Sequence, residues 1–124
     1  DVAERSAETA RLANLYRHAL SVGIAPLVEV HERRELDGAL ALSPEVLMVN
    51  TRDLGTLRME RETAFATLRA VPDGVTRVSA SGIESTDDVG RAREHTGARV
   101  FLVGTALMRA ADPERLIGEM DRVC

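Results

Sequence analysis

The chain has 124 residues, 44% hydrophobic and 29% charged, with a formal net charge of -4 at pH 7. That length allows one domain with a sizeable core, and the acidic balance offers no face for nucleic acid. No apolar run nears the roughly 20 residues that span a bilayer, and no secretory leader pattern opens the chain, so no membrane contact and a cytoplasmic location are expected. All sixteen basic residues are arginine, and the only cysteine is Cys124. An internal disulfide is therefore excluded. A step that needs lysine as proton donor or Schiff base cannot be completed by this chain alone.

Along the chain, Leu12, Ala13, Tyr16, Ala19 and Leu20 recur at helical spacing, with Gly23 as a C-terminal cap. "APLVEVH" (25–31) reads as a short strand. Leu36, Ala39 and Leu40 form a second helical face, and "EVLMVN" (45–50) a second strand. Ala64, Phe65, Leu68 and Val71 make a third stripe, stopped by Pro72-Asp73-Gly74. "VTRVSA" (75–80) is a third strand, and a helix from about Thr86 to Gly97 follows, with Ser85 and Asp88 at capping positions. "RVFLVG" (99–104) is a fourth strand. Asp112-Pro113 then starts a last helix with Leu116, Ile117, Met120 and Val123 on its apolar face.

Helices alternating with strands predict a parallel sheet joined by right-handed crossovers, with residues 1–124 as a single unit. Either an open doubly wound sheet or four βα units of a (β/α)8 TIM-type barrel satisfies that order. In both, ligands bind at the carboxyl ends of the strands. Glu29, His31, Asn50, Arg52, Asp53, Ser79, Ser81, Gly82, Gly104 and Thr105 gather there.

Glu29 interrupts an apolar strand, where a carboxylate is costly unless paired or used in acid/base work. A rim glutamate held by an arginine fits equally well. Glu29 and His31, two apart, would point the same way, but no third ligand has metal-site spacing. Arg52, in "NTRDL" (50–54), either grips a substrate carboxylate or pairs with Asp53 or Glu29. Ser81-Gly82 and Gly104-Thr105 either cradle an anion at the next helix start or simply make tight turns.

Four stretches in this order, "LVEVH" (27–31), "VNTRDL" (49–54), "SASGI" (79–83) and "LVGTALMR" (102–109), resemble strands five to eight of indole-3-glycerol phosphate synthases. The resemblance covers essentially the whole chain and implies the C-terminal half of a (β/α)8 barrel. It implies a lyase of tryptophan biosynthesis that takes 1-(2-carboxyphenylamino)-1-deoxyribulose 5-phosphate and releases carbon dioxide and water, with no cofactor and no metal. By resemblance, Glu29 serves in acid/base and charge stabilisation, and Asn50 orients the reacting part of the substrate. Arg52 reaches the aromatic carboxylate and Ser81 lines the pocket, while Gly82, Gly104 and Thr105 hold the phosphate.

Two departures stand out. Ala80 occupies a position where the family usually has glutamate, and the family's catalytic lysines belong to strands one and three, which this chain lacks. The implied partners are the phosphorylated substrate and either an N-terminal half-barrel or a second copy, since a half-barrel leaves two open strand edges. The chain alone is expected to be inactive. The alternatives are a non-catalytic phosphate-binding half-barrel and a paralogue with an altered substrate.

Overall fold

The computed structural model describes residues 2–50, 61–80 and 82–124. The elements run α1 (Val2–Ser21), β1 (Val28–Val30), α2 (Arg33–Leu40), β2 (Val46–Asn50), α3 (Arg61–Arg69), β3 (Thr76–Ala80), α4 (Thr86–Thr96), β4 (Val100–Leu102), α5 (Thr105–Arg109) and α6 (Pro113–Asp121). The four strands form one parallel sheet in the order β1-β2-β3-β4.

That order decides between the two candidate architectures. A doubly wound sheet reverses its strand order at a switch point, whereas here each strand pairs with the next in sequence. The described helices that pack on the sheet do so on one face. Val28, Val30, Leu47 and Val49 of the sheet pack with Leu36, Ala64, Phe65, Leu68, Val89, Ala92 and Met120 of the helices, while Met48, Val78 and Ala80 form a separate cluster made of strand residues alone. A sequential parallel sheet with helices outside and its own side chains inside is four units of a (β/α)8 barrel.

Local signals set the helix ends. At α4, Ser85 Oγ accepts the Asp88 N–H and the Asp88 carboxylate reaches back to the Ser85 N–H; Gly97 closes the helix at a left-handed φ of 70°. At α6, Asp112 accepts the Arg115 N–H at 2.9 Å and Pro113 takes the first turn. Gly23, at φ 79°, follows α1 as expected.

Three features differ from expectation. β1 and β4 are shorter than the apolar runs that carry them, as suits strands with one hydrogen-bonded neighbour each. Among the described side chains of α1, Ala13, Tyr16 and Ala19 are half-buried, and Leu12 and Leu20 remain about half exposed. α5 is a short helix that periodicity did not announce. Among the described residues no helix is long and apolar enough to cross a membrane.

Candidate active site

Strand parity decides which polar groups share the inner face. Successive side chains alternate across a strand, and register then links the strands. Glu29 pairs with Met48 and Val78 with Val100 in one layer, while Asn50 pairs with Ala80 and Ala80 with Leu102 in the next. Glu29 and Asn50 therefore face inward with the Met48, Val78 and Ala80 cluster.

They also meet. Asn50 Nδ2 donates to Glu29 Oε1 at 3.0 Å, and His31 Nε2 lies 3.4 Å from the same oxygen. Glu29 Oε2 has no protein partner among the described residues. The Glu29 side chain is 38% exposed. The end of β1 is fixed from the helix side, where Glu35 Oε2 accepts the His31 N–H at 2.7 Å and the Glu32 N–H at 3.2 Å. No arginine holds Glu29 among the described residues. Arg52, Asp53 and Ser81 lie outside the described residues.

Ser79 is a correction to the rim set. It lies between the inward Val78 and Ala80, in register with Val49 and Phe101, and is fully buried on the helix side. Its Oγ finds no hydrogen-bond partner among the described residues. Ala80, by contrast, is inward and 2% exposed, directly beside Asn50. Beside Asn50 the inner face thus carries only a methyl group at this position.

The two glycine turns stand at matching heights. Gly82 and Gly104 each lie two residues beyond the register pair Ala80 and Leu102. Gly82 holds a left-handed φ of 68°, which favours glycine. Gly104 has φ -119° and ψ -73° and precedes Thr105, the first residue of α5. A Cβ built on Gly104 meets no atom within 4 Å among the described residues, as is also true at Gly23, Gly38, Gly74, Gly90 and Gly118.

Sequence reasoning missed Arg61. Its guanidinium donates to the Gly82 carbonyl at 3.1 Å and pairs with Asp88 Oδ1 at 3.2 Å. Burial pushes the Asp88 carboxyl up, but the Glu84 N–H, the Ser85 hydroxyl, the Arg61 charge and the Ser85 N–H outweigh it and hold Asp88 below the usual carboxylate value. Partners 21 and more residues away leave no periodic signal. Among the described residues no group of three His, Cys, Asp or Glu side chains could hold a metal.

Sheet order, outer helices and a polar rim at the strand carboxyl ends define the chain as a segment of a (β/α)8-barrel protein. A structural neighbour agrees: a chain from the crystal structure of the Amycolatopsis orientalis BexX/CysO complex superposes with a TM-score of 0.69, covering 93% of this chain and 47% of that one. At 22% identity that likeness speaks for the fold alone. The family model of indole-3-glycerol phosphate synthase matches residues 4–120, and the chain belongs to that family. The indole-3-glycerol phosphate synthase of Exiguobacterium sp. is 43% identical over 110 residues, 89% of this chain and 43% of that protein. That of Bordetella pertussis is 42% identical over 104 residues, 84% of this chain and 39% of the relative. The chain thus spans about two fifths of the length of these curated relatives.

Proposed function

We propose that this chain supplies the Glu29, Asn50 and phosphate-holding half of an indole-3-glycerol phosphate synthase site. The observation that carries the reading is the Asn50–Glu29 hydrogen bond, which occupies one carboxylate oxygen and leaves the other without a protein partner among the described residues. A carboxylate so held is oriented before substrate arrives, and its charge is available where positive charge or a mobile proton develops during ring closure. Closing the pyrrole ring joins the ring carbon bearing the carboxylate to the ketone carbon, expels carbon dioxide and loses the ketone oxygen as water. That oxygen must be protonated. The family's lysine acid is not in this chain, so the isolated 124 residues are inactive in this reading.

Arg52 is assigned to the aromatic carboxylate and Ser81 to the pocket wall. Gly82, Gly104 and Thr105 are assigned to the phosphate. What supports that assignment is position: Gly82 and Gly104 each lie two residues beyond a register-paired strand end, where a ligand can approach the backbone closely.

A partner is part of this reading. Val100 and Leu102 of edge strand β4 are half-exposed, apolar surface on an open strand edge that a further strand would cover. An N-terminal half-barrel carrying the lysines would cover this edge and complete the site.

The test is to fuse strands one to four of the Exiguobacterium synthase to this chain and measure turnover. Glu29→Gln is expected to lower kcat by roughly 10²-fold or more. Unchanged turnover would remove Glu29 from the chemistry.

A further inference from the structure

Arg61 opens α3, yet its side chain serves a different part of the molecule. Nη2 donates to the Gly82 carbonyl and Nη1 pairs with Asp88 Oδ1. The other Asp88 oxygen is already engaged, accepting the Glu84 N–H at 3.1 Å, the Ser85 N–H at 3.1 Å and the Ser85 hydroxyl at 2.9 Å. One planar fork therefore ties the start of α3 to the β3–α4 turn and to the first turn of α4. It is only about one-third exposed and Asp88 13% exposed, so the clasp is sheltered from water.

We propose that Arg61 is a positioning residue that fixes the Gly82 lip of the anion cradle, so that affinity for a phosphate ester depends on it. The inference rests on the reading that phosphate sits at Gly82 and Gly104.

The physical reason lies in glycine itself. A left-handed glycine has more accessible backbone states than any other residue, and an anion is held well only by N–H groups already aimed at it. The carbonyl and N–H of one trans peptide point in opposite directions. Drawing the Gly82 carbonyl toward α3 therefore turns the Ile83 N–H away from α3 and fixes that peptide plane. Arg61 is not itself the anion's ligand. Its two terminal nitrogens are committed to a carbonyl and a carboxylate, and Asp88 offsets its charge. Lysine, with a single point of donors on a flexible stem, cannot reproduce a rigid two-armed fork. The Gly104 lip has no bond to Arg61 among the described residues, which makes the two lips separable by experiment.

The experiment titrates the ¹⁵N-labelled chain with sn-glycerol 3-phosphate and follows the amide resonances of Gly82, Ile83, Gly104 and Thr105, with a thermal melt of each variant. In the unsubstituted chain the amides of both lips are expected to shift and saturate together. Arg61→Met is expected to weaken binding roughly tenfold, the loss of one charge-assisted hydrogen bond. The Gly82 and Ile83 shifts should shrink more than those of Gly104 and Thr105, a ratio that a general loss of stability leaves unchanged. If Arg61→Met does not fold, Arg61→Lys decides; it too is expected to bind more weakly. Full affinity in Arg61→Lys, or in folded Arg61→Met, overturns the proposal. Absence of any shift at Gly82 and Gly104 in the unsubstituted chain overturns the phosphate reading itself, and this inference with it.

Discussion

Replacing Asp88 with alanine removes the carboxylate that accepts three hydrogen bonds at the start of α4 and pairs with Arg61. Loss of a helix cap of this kind costs about 1 kcal/mol. The ion pair adds about 1 kcal/mol, the upper end for a partly exposed pair, because Asp88 is well covered. Against an unfolding entropy of roughly 2.1 cal/mol/K per residue, a loss of about 2 kcal/mol over this length lowers Tm by about 8 °C. The effect depends on pH with a fixed sign. The folded-state pKa of Asp88 lies below the ordinary value of 3.8, so its contribution is complete above the unfolded value and is lost as pH falls through the folded one. Circular-dichroism melts of the chain and Asp88→Ala at pH 7, 5 and 3 should show the full gap at pH 7 and 5 and a smaller one at pH 3. Equal Tm values at pH 7, or a gap that does not narrow at pH 3, would refute the reasoning.

Ala80→Glu, in the fused barrel, places a second carboxylate beside Asn50 on the inner face. Turnover should rise if this chain is a synthase half; no change or a loss would favour a paralogue with another substrate. Light scattering of the 124-residue chain should give a mass above 13.5 kDa, since open edges at β1 and β4 call for a second copy when no other half is present. A clean monomer with a cooperative melt would argue against that demand.

Local chemistry was legible in the sequence. Ser85 with Asp88, Asp112 with Pro113, and Gly97 each act within one turn of chain, so their spacing announces them. Glu29 stood out as a charge in an apolar strand, but its partner did not, because the Asn50 contact depends on the register of β1 against β2. Ser79 was misplaced at the rim because "VTRVSA" does not reveal its parity; the pairing with Val49 turns it toward the helices. Strand order, which separates barrel from doubly wound sheet, is a property of the assembled sheet and not of any segment. The Arg61 clasp was invisible for the same reason, since it joins three segments that only the fold brings together.

The most direct test of the central claim measures formation of the indole chromophore from 1-(2-carboxyphenylamino)-1-deoxyribulose 5-phosphate. The 124-residue chain is assayed alone and then mixed with strands one to four of the Exiguobacterium synthase. The expected result is no product from the chain alone and turnover on mixing. Product from the lysine-free chain alone, or none from a mixture shown by light scattering to have assembled, would contradict the claim that this chain is one half of that active site.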